Sequence, residues 1–347
     1  MTSLSGHPPR TQRQWFAWLA EHAADRPLDV YGQGAEVQAF EAEVAALLGK
    51  PAAVFVPKGV IAQQAALRVW CDRRRVAAVA VHPRCHLVED EDLALQHLHR
   101  LRLLPVGAGD QPFSAADLDA VHEALGAVAV ELPLRRAGFK LSNWNQLQAI
   151  SAWARGRALP LHFDGARLWE SQPHYGRPLA EIAALADSLY VSFYKGLGGL
   201  GGGALAGAET FIAAVRPWLT RHGAYPYAIA PYVVAAGAGL TRHLPKMSGY
   251  VARARRLATA IGRIEGLRVI PDPPHTNGFQ VRFPAATTLL EPRLREVESR
   301  TGVQLFPWLR PAADGCFGEV QIGEAAETLG DDQVLAALRR LVAPPPA

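Results

Sequence analysis

Cysteine is scarce in these 347 residues: Cys71, Cys85 and Cys316 are too few and too scattered for a disulfide framework, and they fit no zinc-ligand spacing. A reducing, cytoplasmic setting is the expectation. The N-terminal MTSLSGHPPRTQRQWF has no continuous apolar core of the signal-peptide kind. The longest nearly uncharged apolar run, 225 to 240, is cut by Pro226 and Pro231 and is shorter than the ~20 residues a bilayer crossing needs. No membrane partner is expected. Clustered positive charge is missing too: the formal charge of +4 comes from interspersed residues. The densest basic runs, 68 to 76 and 251 to 264, suit solvated helix faces better than a nucleic-acid stripe. Internal repeats and low-complexity linkers are absent, and only PPPA at the C-terminus reads as frayed.

What is present is an ordinary globular composition, 49% hydrophobic and 20% charged, long enough for a large core and a smaller lobe. Residues 11 to 24 read as an amphipathic helix of an N-terminal arm, and 35 to 50 as a helix with Val37, Phe40, Val44 and Leu47 on one face and Gly49 as its stop. From 52 to 207, about seven apolar β-prone runs alternate with helical stretches, including 114 to 125 with Ser114 as candidate N-cap. Such alternation indicates a mostly parallel sheet covered on both faces. A proline-punctuated helix at about 228 to 262 then leads to β-prone runs at 267 to 270, 279 to 283, 303 to 306 and 319 to 323, an α+β lobe. The expected division is an arm over 1 to 28, a large domain over 29 to 235 and a small domain over 236 to 347.

The organising stretch runs from Leu161 to Gly207. Two apolar runs, 159 to 163 and 189 to 193, lead into Asp164 and Lys195 with one helix between them. Ligands of open α/β sheets bind beyond the carboxyl ends of the strands, so Asp164, Arg167 and Lys195 should converge on one crevice. Upstream, PAAVFVPKGVIAQQ is a strand, a Pro57-Lys58-Gly59 turn and a helix start; free helical N–H groups and the helix dipole make that turn an anion site, with Lys58 beside it. His82 and His86 are four apart, but Pro83 breaks the helical geometry that metal ligation would need, so no metal is expected. His86, past a strand end, faces either the crevice or the surface.

Gly196, Gly198 and Gly201 match G-x-G-x-x-G, but an apolar strand-like run follows where a dinucleotide site needs a helix. A nicotinamide-dependent oxidoreductase is the reading that this run leaves open. A lysine beyond a buried strand, cleared by glycines, suits an amine with a lowered pKa that forms a Schiff base. With Asp164 on a pyridinium nitrogen, Arg167 on a phenolate or carboxylate and the Gly59 turn on a phosphate, pyridoxal 5'-phosphate (PLP) explains all four elements together.

The motifs HFDGARLWES, YVSFYKGLGG and DVYGQGAEVQAFEAEVAALLGKPAAVFVPKGVIAQQAAL, from Asp29 to Gly207, resemble the threonine aldolases and related β-eliminating lyases, with SFYKG and DGARLWE closest to a divergent bacterial subgroup. The resemblance implies a fold type I, aspartate aminotransferase-like PLP enzyme. Its seven-stranded, mostly parallel large domain carries a small α+β C-terminal domain, and the chains form homodimers or homotetramers with sites at subunit interfaces. By motif position, Lys195 is the Schiff-base lysine, Asp164 the partner of the pyridine nitrogen, Arg167 the phenolate or substrate-carboxylate contact, and His86 the stacking ring and general base. Lys58, Gly59, Val60 and Ser192 complete the cofactor set.

The departures fall at Val60, where a threonine is usual, at Tyr194 in place of serine, at Leu4 to His7 in place of R-S-D-T, and at Glu319 in place of the carboxylate-clamping arginine. Arg310 is the candidate substitute. The implied reaction is cleavage of a small β-hydroxy amino acid by retro-aldol chemistry or by β-elimination. A PLP aminotransferase, a C–S lyase and a catalytically silent PLP-fold binding protein are the alternatives, since fold alone does not choose the reaction.

Overall fold

Runs such as AAVFV, AVAVE and SLYVS are apolar at nearly every position, so the strands they form must be covered on both faces. In the computed structural model, which describes residues 1 to 343, they build the larger of two compact units, Gln12–Leu244. PPPA lies outside the described residues.

Among the described residues this unit holds a seven-stranded sheet. Its strands are β1 (Ala52–Val56), β2 (Ala78–Val81), β3 (Arg102–Pro105), β4 (Ala127–Glu131), β5 (Leu161–Gly165), β6 (Ser188–Ser192) and β7 (Gly203–Gly207), in the spatial order β1-β7-β6-β5-β4-β2-β3. Strands β2 to β6 run parallel, and β7 is antiparallel to both β6 and β1. The link from 193 to 202 is too short for the helical crossover that a parallel return requires, so the chain turns back on itself. Gly201 therefore enters a strand, and the dinucleotide fingerprint fails for lack of a helix.

Ser114 does cap, with Asp117 completing the capping box, but its helix is only Ala115–Asp119. The run at 159 to 163 forms a strand two residues later than its apolar pattern suggests, so Asp164 lies inside β5 and not past its end.

The core beneath the strand ends is aromatic. Phe193, fully buried directly after β6, packs its ring 5.1 Å from Phe40, 6.1 Å from Phe55 and 6.2 Å from Trp169. Burying such a ring contributes about 1.5–3 kcal/mol, and it anchors the start of the loop that carries Lys195.

The second unit comprises Met1–Thr11 and the chain from Pro245 onward. The helical stretch read as one element is two helices, Ala230–His243 and Met247–Ile261, parted by a 3₁₀ turn at Leu244–Lys246, because Pro245 has no N–H to continue the helical ladder. The residues before Thr11 do not sit in a separate arm: Thr2–Ser3 pairs in parallel with Val303–Gln304. The unit's main sheet has the strands β8 (Arg268–Ile270), β9 (Gly278–Phe283), β10 (Leu309–Ala312) and β11 (Gly315–Gln321), all antiparallel, in the order β10-β11-β9-β8. β10 had no signal in the sequence, where Pro311 reads as a strand breaker; Pro is tolerated because β10 is an edge.

Candidate active site

Register sets the site. Glu131 at the end of β4 pairs with Asp164 on β5, and Asp164 pairs with Tyr190 on β6, so three polar side chains stand in one row at the carboxyl end of the sheet. Above the row lies a cavity of about 180 Å³, lined by Lys58, Gly59, Val60, Gln63, His86, Asp90, Glu91, Asp164, Ala166, Tyr190, Tyr194 and Lys195. Most of the residues singled out from the sequence therefore meet: Lys58, Gly59, Val60, His86, Asp164 and Lys195.

Lys195 sits three residues past β6. Burial and the nearby Arg167 guanidinium pull its amine down to about 8, with Asp164 and Glu131 opposing. At neutral pH a usable fraction of the amine is unprotonated, which a nucleophilic amine requires. The loop after it is held by Glu170, whose Oε1 accepts the Gly196 N–H at 3.0 Å. A Cβ at position 196 would collide with that carboxylate.

Glu131 accepts the His86 N–H at 2.9 Å and the Arg135 N–H at 3.4 Å. Burial first, and then the charge of Asp164, push its pKa up. His86 opens a short helix, His86–Glu89, and its Nδ1 lies 3.0 Å from Glu91 Oε1. Burial alone would lower the imidazole's pKa; the Glu91 bond, with the charges of Asp164 and Glu131, outweighs it and the net shift is upward.

The floor is a directed hydrogen-bond chain. Trp70 Nε1 can only donate, so the Ser188 hydroxyl accepts from it at 2.8 Å and donates to His162 Nδ1 at 2.8 Å. His162 Nε2–H then donates to Gln63 Oε1 at 2.7 Å. Burial lowers His162 to about 4 and keeps it neutral, as this order requires. The chain leaves the buried Gln63 Nε2, a donor with no partner, at the cavity.

At the other wall, the sixteen-residue helix Gly59–Arg74 begins without a side-chain cap. A Cβ on Gly59 would lie 2.6 Å from the Tyr190 hydroxyl, so only glycine lets the helix start approach the sheet this closely.

Two predicted residues, Arg167 and Ser192, are not among those that line the cavity. Arg167 is buried before the helix Leu168–Tyr175, its guanidinium 5.5 Å above the Phe139 ring. Ser192 is buried at the end of β6, and its carbonyl accepts from Trp169 Nε1 at 2.8 Å. Arg310 belongs to the C-terminal unit: it lies on β10, half-buried, 5.8 Å over the Trp308 ring. Glu319 is buried on β11 opposite Gln280.

Comparison with known proteins decides the relationship. The β-eliminating lyase family model matches residues 18–285. The chain belongs to that family. A Listeria monocytogenes structure assigned as an L-allo-threonine aldolase is 34% identical and superposes with a TM-score of 0.94 over 98% of this chain and 96% of that one. Low-specificity L-threonine aldolase 1 of Arabidopsis thaliana is 25% identical over 80% of each chain. The Escherichia coli low specificity L-threonine aldolase is 31% identical over 55% of this chain and 58% of its own.

The chain is thus a PLP-dependent lyase with the fold type I architecture. Its cavity suits that cofactor on its own evidence: a lysine amine with a depressed pKa, an acid one strand away, and an uncapped helix start beside a lysine for the phosphate. Glu131, Tyr190, Gln63, Asp90 and Glu91 escaped the sequence reading. Glu131 had a signal, because AVAVE ends in an ionisable residue as the run before Asp164 does. Glu91 had none, since HLVEDEDL reads as a solvated acidic turn.

Proposed function

We propose that this lyase cleaves the Cα–Cβ bond of a small β-hydroxy amino acid such as threonine or allo-threonine, giving glycine and an aldehyde. The observation that carries the reading is the convergence of Lys195, Asp164 and His86 on one cavity, together with the family relationship. Lys195 is the attachment point of PLP and Asp164 the partner of its ring nitrogen, while Lys58, Gly59 and Val60 hold the phosphate. When bound, PLP supplies an electron sink for the pair released by bond cleavage.

His86 takes the β-hydroxyl proton as general base. Arg167 keeps the Lys195 amine in its neutral, reactive range, Ser192 belongs to the cofactor set, and Arg310 is the candidate for the substrate carboxylate where Glu319 has displaced the usual arginine.

No helix among the described residues is long and apolar enough to cross a membrane. The three free, buried thiols favour the cytoplasm. A homodimer or homotetramer is supported by the exposed Leu28, Val30, Tyr31 and Tyr227 of the large unit.

The test is turnover of L-threonine and L-allo-threonine by the PLP-loaded protein. Stoichiometric glycine and acetaldehyde are expected; ammonia with 2-oxobutyrate, or transfer of the amino group to a keto acid, would replace the aldol reading with elimination or transamination.

A further inference from the structure

His86 has two ring nitrogens, and the structure shows what occupies one of them. Nδ1 faces Glu91 Oε1 at 3.0 Å, and the Glu91 side chain has no exposed surface. Its second oxygen, Oε2, is buried with no hydrogen-bond partner among the described residues, where the imidazole is the one side chain bonded to this carboxylate. The backbone holds it there at a cost. Asp92 and Leu93, the two residues after Glu91, have φ of 49° and 56°, each a left-handed conformation that disfavours a non-glycine residue. Ala94 N–H closes this turn onto the Glu91 carbonyl at 3.0 Å. Two strained residues in succession beside a buried, singly bonded carboxylate make sense if its placement against His86 matters.

We propose that Glu91 is the positioning residue of a carboxylate–imidazole dyad: by accepting the Nδ1 proton it fixes the His86 tautomer, leaving the unprotonated Nε2 to the cavity. A neutral imidazole carries one proton, and a carboxylate on Nδ1 decides which nitrogen keeps it. Nε2 is then the basic atom, which is what removal of a substrate hydroxyl proton requires. Asp164 on β5 and Glu131 on β4 also face the ring, but Glu131 is engaged with the His86 backbone N–H and not with the imidazole. The dyad rests on the reading that His86 acts as a base at this site.

The test uses the full chain without cofactor, so that it stands apart from turnover. Ring ¹⁵N shifts of His86 are followed through a pH titration in the wild type, in Glu91→Gln and in Glu91→Asp. The wild type is expected to show a protonated Nδ1 and a free Nε2 when neutral. In E91Q, whose amide can donate to Nδ1, the tautomer inverts and the imidazole pKa falls; E91D keeps the wild-type tautomer.

In the PLP-loaded protein, E91Q lowers kcat by about 100-fold with KM changed less than about threefold, and E91D recovers most of the loss. Identical His86 shifts in wild type and E91Q overturn the dyad, as does an inverted tautomer with kcat intact. Failure of the proposed function looks different: wild-type protein that cleaves no β-hydroxy amino acid, whatever the tautomer of His86.

Discussion

The strand ends of β5 and β6 and the segment from His86 to Glu91 deliver side chains to the same cavity by opposite means. Glu131, Asp164 and Tyr190 are aligned by sheet register; a residue in that row cannot shift without sliding a strand buried on both faces, and a one-residue slip would turn it to the other face. His86 and Glu91 are held by a four-residue helix, a bond from the His86 N–H to Glu131, one ring-to-carboxylate bond and a left-handed turn. Asp90, beside them, is tied to Arg136, which draws its pKa down against the effect of burial. The strand ends are a fixed row, and the segment is an arm held by a few polar bonds.

Four substitutions probe this contrast, from the largest expected effect to the smallest. Phe193→Ala removes the ring that anchors the end of β6 and should cost about 3–5 kcal/mol of stability, read by urea unfolding; a loss below 1 kcal/mol would mean that the aromatic cluster is not what fixes the strand ends. Asp164→Asn keeps the shape of the row and removes its charge. Turnover should fall by about 100- to 1000-fold with little change in melting temperature, and near-normal turnover would contradict its role.

Arg167→Gln removes one of the two influences that depress Lys195. The midpoint for amine reactivity, measured as the rate of PLP uptake against pH, should rise from about 8; an unmoved midpoint leaves burial as the sole cause. In the arm, Leu93→Gly relieves a left-handed leucine that is 44% exposed. It should change stability by less than about 1 kcal/mol, in the stabilising direction, with kcat following any displacement of Glu91.

The Lys195 shift also fixes a pH dependence. The folded amine releases its proton near 8, while the unfolded one holds it to about 10.4. Between these values the unfolded chain holds the Lys195 proton that the folded chain has released, so this group's contribution to the stability of the cofactor-free protein rises with pH across that window. Lys195→Met should remove that contribution, so the stability difference between wild type and variant, measured by unfolding at a series of pH values, should change across the window in the wild type's favour as pH rises.

Legibility in the sequence follows the same divide. Strands buried on both faces write themselves as unbroken apolar runs, so the seven-stranded sheet and the convergence of Asp164 with Lys195 were readable, as was the Gly59 turn. The direction of β7 was implicit in the shortness of the glycine link. Pairings between strands far apart in sequence were not readable: the register of Glu131 against Asp164, the parallel pairing of Thr2–Ser3 with Val303–Gln304 and the edge strand β10 all depend on tertiary neighbours. The Trp70–Ser188–His162–Gln63 chain joins three segments, the helix Gly59–Arg74 and the strands β5 and β6, none of which signals the others. In the arm, four acidic residues in a row, Glu89 to Asp92, read as solvated, and only the fold shows that Glu91 turns inward.

The proposal that the lysine after β6 holds the cofactor of this lyase is tested by adding PLP to purified protein, reducing with borohydride and locating the modified residue by peptide mass spectrometry. A single phosphopyridoxyl group on Lys195, absent in Lys195→Ala, is the predicted result; stable modification at Lys58 or elsewhere, with Lys195 untouched, would contradict it.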